Sequence, residues 1–521
     1  MTINRLAGIA LASALLVTAC GQRDDAPPAT RVTADEAAAG AALLGLDEQG
    51  RASWDERSFS GGTYRFTNFV LRLREIEPAE PLDPEVAEDG EAPEPVYEMI
   101  TADVMEIASP RLEDGVVRFD RLVLENGTLP ASEDGAEARF ERLVIDRPGP
   151  ELSRSVAISF SGEEEELPDI ASNLAGYGFR ELSLAGFSLS GGEFDGVMQV
   201  SAIMLERLDE GGLESAHIEG LRLQSNDGDT VDFTLQEARI EGAGARFLSA
   251  LLAGQASNPL NLAVSANPAD LYRALSVTGL AGTMNGLALS MESFTSNVTE
   301  TREGIITRVQ MPEMTLSGAR NSDAGAQVAG ALAVIGFEDV VLSFESEAIY
   351  DPVTDRARTQ NANRFIWRDG LTIDFHQELS GIAAYGEAVA SAQDAGKTGD
   401  AVVEGLDRHL MLHELNVRIQ DQSLLERTFN AYGASMGMTP AQMRQQAAIL
   451  VTLGLSAAPR EVPRSFLNAI AQPLSEFVSD GGTLVLTLDP PAPVPMNTLT
   501  SPSGDFDIDR LGLSVSVERS E

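Results

Sequence analysis

Phe66-Thr67-Asn68-Phe69-Val70-Leu71-Arg72-Leu73 decides the fold. Phe69, Leu71 and Leu73 lie two residues apart, so they share one face of a strand. Phe66 stands three residues before Phe69. On a straight strand it would point to the opposite face unless a bulge or bend intervenes. The same apolar-x-x-apolar-x-apolar form returns at Phe119…Leu122…Leu124, Phe140…Leu143…Ile145, Phe179…Leu182…Leu184, Ile218…Leu221…Leu223 and Leu235…Ala238…Ile240. It recurs at Met284…Leu287…Leu289…Met291, Met311…Met314…Leu316, Phe337…Val340…Leu342…Phe344, Leu412…Leu415…Val417…Ile419 and Ile508…Leu511…Leu513…Val515. Each unit reads as a chain that turns a corner, drops an apolar anchor inward and continues as a half-buried strand.

Working outward, turn residues separate many of the units: Pro110 to Gly115, Asp209-Glu210-Gly211-Gly212, Asn226 to Asp229, Thr301 to Gly304 and Asp351 to Asp355. Gly, Pro and Asp there favour hairpins. The irregular spacing excludes a solenoid of fixed rise. The expected fold is mainly β, an antiparallel, elongated meander or groove-like sheet, with a helical insertion near the C-terminus. Val32 to Leu46 is Ala-rich and helical by propensity. Glu75 to Glu98 is acidic and Pro-containing and reads as a loop, and Ala384 to Asp400 reads as a loop or weak helix. Gln422 to Ser479 is the clearest helical block. Within it Thr439 is an N-cap before Pro440, and Leu467, Ile470, Leu474, Phe477 and Val478 form one stripe. The chain therefore divides into residues 1–19 (leader), 20–60 (tether and short helix), 61–383 (β-rich body), 384–480 (loop and helical insertion) and 481–521 (strands completing the sheet).

Of 521 residues, 80 are acidic and 37 basic, a formal net charge of −43. Phosphate binding is driven by clustered Lys and Arg, so nucleic acid is not an expected partner. Cys20 is the only cysteine, which excludes an intramolecular disulfide and a thiolate zinc site.

That cysteine closes a leader. Arg5 gives a short positive start, Leu6 to Val17 is apolar, and Val17-Thr18-Ala19-Cys20 follows. The apolar run has the length of a signal peptide and is too short for a permanent membrane span. The segment resembles the lipobox of bacterial lipoproteins. That resemblance implies cleavage after Ala19 and acylation of Cys20, the lipid-attachment residue. The alternative is an ordinary secretory signal cleaved at the same bond. Gly21 stands where an aspartate marks inner-membrane retention in enteric bacteria, so the resemblance favours the outer membrane over the inner. The implied location is the cell envelope, facing the periplasm and held to the membrane through Cys20.

Candidate chemistry is thin. Gly433-Ala434-Ser435-Met436-Gly437 matches the nucleophile-elbow pattern, but that pattern needs a preceding strand and a downstream histidine. Here Leu424 to Tyr432 reads as helix, and the last histidine is His413. The expected role is a bend between helices. His409 and His413 have zinc-ligand spacing only on a helix, and their surroundings read as a run entering a strand. His217 and His376 read as ordinary strand residues. Asp505, Asp507 and Asp509 would alternate along a strand, and Glu163 to Glu166 forms an acidic knot; both read as solvated faces without an EF-hand pattern. Asn126-Gly127-Thr128 and Asn297-Val298-Thr299 fit a glycosylation pattern of no consequence in a bacterial envelope. No metal, cofactor or catalytic centre is expected.

Met284, Met291, Met311 and Met314 fall on strand units, and Met436, Met438 and Met443 in the helical block. Such methionines either fill an irregular core or line a groove for apolar ligands. The recurring anchored strand units resemble AsmA-like β-groove envelope proteins implicated in lipid homeostasis. That resemblance implies a noncatalytic role, binding lipid or another amphiphile in an apolar groove. The departure is at the N-terminus, where those proteins usually carry a membrane helix. The alternative is a protein-interaction or assembly scaffold in the envelope, working through exposed sheet edges.

Overall fold

Short polar turns between half-buried strands favour pairing of each strand with the next. The computed structural model of the chain describes residues 30–76, 96–130, 136–162, 167–191, 194–225, 231–252, 268–319, 322–394, 407–456, 464–497 and 508–519. The fold is mainly β and antiparallel, with helices grouped toward the C-terminus. The leader, Cys20, Asn226 to Asp229, Glu163 to Glu166, Asp505 and Asp507 lie outside the described residues. Contacts divide the chain into two compact units, Met1–Leu252 and Ala253–Glu521.

The first unit runs α1 (Ala34–Leu43), β1 (Ala52–Ser53), β2 (Glu56–Ser60), β3 (Thr63–Ile76), β4 (Val96–Ala108), β5 (Arg111–Glu113), β6 (Val116–Arg118), β7 (Arg121–Pro130) and β8 (Ala136–Asp146). It continues with α2 (Pro150–Ser161), β9 (Phe179–Gly191), β10 (Phe194–Asp209), β11 (Gly212–Ser225), β12 (Val231–Gly244) and α3 (Ala245–Leu252). β3, β4 and β7 to β12 pair antiparallel in that order, and β1 and β2 line the other edge of β3. β5 and β6 form a separate hairpin.

The three-residue spacing of the strand units has a geometric cause. Asn68, with φ 48°, lies between Phe66 and Phe69, and the pairs on either side leave it facing Asp103. By continuous register this position extends through Asn126, Glu141, Gly186, Ser201 and Gly220 to Gln236, and every second residue is left-handed: Asn126 at 49°, Gly186 at 61°, Gly220 at 64°. A second line crosses six residues along each strand, with Gly62, Ser109, Arg147, Arg207 and Gly242 at positive φ. A left-handed residue swings the strand and resets its alternation. Phe66 and Phe69 therefore enter one core, 0% and 1% exposed, with ring centroids 6.1 Å apart.

α1 and α2 close that core. Thr33 and Glu36 form a capping box at the start of α1, whose Ala37 and Ala41 are buried. α2 opens with Pro150 at its first turn and ends at Gly162 in the left-handed conformation, and its Phe160 ring lies 5.9 Å from Phe69.

The second unit runs β13 (Ala274–Met284), β14 (Leu287–Glu300), β15 (Ile305–Gly318), α4 (Asp323–Val334), β16 (Val340–Asp351), β17 (Arg356–Trp367), β18 (Leu371–Ser380), α5 (Ile382–Asp394) and β19 (Met411–Asp421). Then come α6 (Leu424–Met436), α7 (Pro440–Ser456), α8 (Arg464–Asp480), β20 (Thr483–Leu488), β21 (Val494–Pro495), α9 (Ile508–Leu511) and β22 (Leu513–Glu518). β13 to β20 pair successively, β21 extends the edge of β19, and β22 pairs with β20. β19 and β20 are direct partners, so α6, α7 and α8 are inserted between adjacent strands. Thr439 and Gln442 exchange the hydrogen bonds of a capping box at the start of α7, with Pro440 as its first residue. Asp509 is a correction to the expected strand run: its backbone is helical, in α9, and Gly512 at φ 57° starts the strand after it. That turn drops Leu511 inward to 1% exposure.

Candidate functional site

The β sheet of the second unit has two chemically opposite faces. Phe344, Phe365, Ile373, Ile419, Leu484 and Val517 are cross-strand partners in one row, and Met311 extends it from β15. Phe375, Val417, Leu486 and Val515 form the next row on the same face. Phe344 and Phe375 stack with centroids 6.3 Å apart. All these side chains are half-buried. This differs from the first unit, where twenty-eight buried residues make one core. Among its described residues the second unit has two small buried clusters, of five and four residues.

Each end of this apolar face carries its own packing. At one end Phe337 packs on Trp367 at 5.1 Å, and the Arg427 guanidinium from α6 lies 4.4 Å over the Phe337 ring. At the other, Ile305, Tyr350, Ile382, Tyr385 and Leu410 form a buried cluster around the start of α5. The Tyr350 hydroxyl donates to Asp355 at 3.1 Å; burial and that carboxylate push its pKa up to about 12.

The opposite face carries one row of alternating charge, which runs up to buried Val485, the partner of Arg418. Glu345, Arg364, Asp374 and Arg418 are successive cross-strand partners. Arg364 Nε donates to Asp374, and Arg418 meets both oxygens of Glu518. The hydrogen bond to Asp374 raises the Arg364 pKa and the one to Glu518 raises that of Arg418. Exposed pairs of this kind contribute little stability each, but they set which face meets water.

The histidines do not converge. His409 ends a short 3-10 turn, Asp407–His409, while His413 lies in β19. Glu378 pairs with Glu414 and Leu379 with Leu412, so His413 is the extra residue of a bulge that returns Leu412 and Leu415 to one face. Its Nε2 lies 2.8 Å from Ser380 Oγ and its Nδ1 3.4 Å from Arg356. Guanidinium only donates, so Nδ1 accepts and Nε2–H donates to Ser380. In that tautomer the imidazole cannot take the Ser380 proton. Burial, then the Arg356 charge, lowers the His413 pKa. His376 Nδ1 lies 2.9 Å from Thr359 Oγ1, and His217 lies 3.0 Å from Glu237.

Ser435 sits in the last turn of α6 and donates to the Tyr432 carbonyl at 2.8 Å, while Gly437 at φ 68° ends the helix. The motif is therefore the bend between helices that its composition suggests. Asn126 is left-handed inside β7 and donates to Asp103 at 3.1 Å, and Asn297 pairs with Arg308. Among the described residues no cluster of His, Cys, Asp and Glu could hold a metal, and no helix is long and apolar enough to cross a membrane. Met291 and Met314 are cross-strand partners beside the apolar rows, with Met291 buried; Met284 and Met436 are exposed. Sequence reading missed the Phe337–Trp367–Arg427 cap, because its members come from three separated segments.

A family model described as an uncharacterized protein matches residues 364–518, from β17 to the end of β22. That span covers less than a third of the chain and holds the charge ladder from Arg364 to Glu518 together with the helical insertion. No curated protein matches the chain.

Proposed function

We propose that this chain is a lipid-anchored protein of the bacterial envelope, attached through acylated Cys20, facing the periplasm and favouring the outer membrane. It binds an amphiphile, without catalysis, on the apolar face of its second unit. The observation that carries this reading is the pair of rows through Phe344–Phe365–Ile373–Ile419 and Phe375–Val417–Leu486. They are apolar and half-buried, with packed residues at both ends and a row of alternating charge on the other face. An acyl chain laid along such rows removes apolar surface from water at about 25 cal/mol per Å². The AsmA-like resemblance of the strand units agrees with this role.

The test is native mass spectrometry with lipid extraction on residues 21–521, purified without detergent. Stoichiometric phospholipid or another amphiphile is expected, and Phe375→Glu should remove it, because an unpaired carboxylate buried against an acyl chain costs several kcal/mol. A clean apo mass from folded protein overturns the proposal and leaves the scaffold reading in its place.

A further inference from the structure

We infer that a cavity in the second unit binds a small zwitterion, with the ligand's anionic group on Arg358 and its amine on Glu303. The cavity, of about 390 Å³, lies where the β14–β15 and β16–β17 turns meet the start of β17. Arg358 is the cross-strand partner of Ile349 on one side and of Glu378 on the other, and Ile349, itself buried, gives the cavity an apolar lining. Most of the polar lining is already engaged. Arg356 donates to Glu378 at 2.9 Å, and Asp351 accepts from the Val353 N–H at 2.9 Å and from the Thr354 hydroxyl at 2.6 Å. Glu347, diagonal to Arg358 on β16, accepts from Arg308. Two side chains are left over. Among the described residues Arg358 and Glu303 have no ion pair or side-chain hydrogen bond, with each other or with any neighbour, although they carry opposite charges and line the same cavity.

The charges select the ligand. Glu303, Asp351 and Glu378 against Arg356 and Arg358 leave the lining one negative charge in excess. A simple anion drawn to Arg358 therefore meets a surplus of carboxylate, and a simple amine drawn to Glu303 leaves the guanidinium without an acceptor. A molecule with both charges satisfies both groups at once. Arg358 offers a planar fork to a carboxylate or phosphate, Glu303 accepts N–H bonds from an ammonium, and a short aliphatic link lies against Ile349. Both side chains are exposed, so the ligand reaches them without unfolding. Arg356, Asp351 and Thr354 are held by protein partners, so the surrounding wall is ordered before the ligand arrives. Glu378 shares the face of β18 that carries Asp374 and the charge row, so this site is separate from the apolar rows and does not rest on amphiphile binding there.

The experiment is calorimetric titration of residues 21–521 at low ionic strength, where exposed charges are least screened. The zwitterionic probes are glycine, β-alanine, γ-aminobutyrate and glycerophosphoethanolamine; butyrate and butylamine carry one charge each. At least one zwitterion is expected to bind saturably at millimolar concentration, about tenfold tighter than either singly charged probe. Tightest binding of an amino acid would place a carboxylate on Arg358, and tightest binding of glycerophosphoethanolamine a phosphate of headgroup type. Arg358→Gln and Glu303→Gln should each lower the affinity about tenfold with an unchanged circular dichroism spectrum, because neither side chain holds a protein partner. Butyrate or butylamine binding as tightly as the best zwitterion overturns the assignment. So does the lack of saturable binding by all four zwitterions, or binding that survives both substitutions.

Discussion

Glu141 on β8 and Gly186 on β9 face each other on the first transverse line, and the Glu141 side chain occupies the space a Cβ on Gly186 would need. Gly186 also has φ 61°, a region an L residue enters at a cost of roughly 1–2 kcal/mol. The pair shows how the sheet bends: a small or left-handed residue on one strand receives a polar side chain from the next.

Gly186→Ala should therefore destabilise the protein by about 2 kcal/mol, from backbone strain and the displaced Glu141 together. The check is the urea midpoint, with Glu141→Ala added as a second variant. If the double variant recovers none of the loss, the clash has no part in it and strain alone accounts for the effect.

Gly40 reverses an ordinary rule. Alanine in place of glycine inside a helix usually stabilises by about 1 kcal/mol. Gly40 of α1 is packed so closely on the Pro110 backbone that an added Cβ would fall inside 3.0 Å of it. Gly40→Ala should lower the melting temperature, and a rise in that temperature would show that α1 is not seated on the Pro110 segment.

His413 gives the second unit a pH dependence of known sign. Its folded pKa lies below 6.5, held down by burial and Arg356. Below pH 6.5 the unfolded chain then binds more protons than the folded one, so this group's contribution weakens as pH falls toward its folded pKa. Urea midpoints measured from about pH 8 to about pH 5 should drop less for His413→Gln than for the parent chain. Parallel curves would mean that His413 titrates alike in both states.

Much of this was legible from the apolar spacing alone. The hairpins at Asp209–Gly212 and Thr301–Gly304, the capped start of α7 at Thr439-Pro440, and the need for a bend between Phe66 and Phe69 all follow from local chemistry. The means of bending was less legible. Asn68 and Arg207 adopt positive φ without being glycine, because the register on both sides fixes them there. α2 and α4 were readable in principle, from Pro150 with Gly162 and from the Ser322 cap, whose Oγ accepts the Gly325 N–H at 2.9 Å. Their Ala and Ser content hid them among strand units. The contrast between a filled core in one unit and a half-buried face in the other depends on which helices return over the sheet, and apolar periodicity does not encode that.

The two transverse lines keep a constant interval of six residues along each strand from β3 to β12. A two-residue insertion between them would preserve side-chain alternation yet throw one strand out of step with both neighbours. Chain length can therefore change during evolution only beyond the lines. The turn from β10 to β11 has two residues between Asp209 and Gly212, whereas the acidic connection from β3 to β4 runs from Ile76 to Val96. Relatives of this protein should show alignment gaps at such turns and none between the lines, so that inheritance conserves an interval more strictly than any side chain within it.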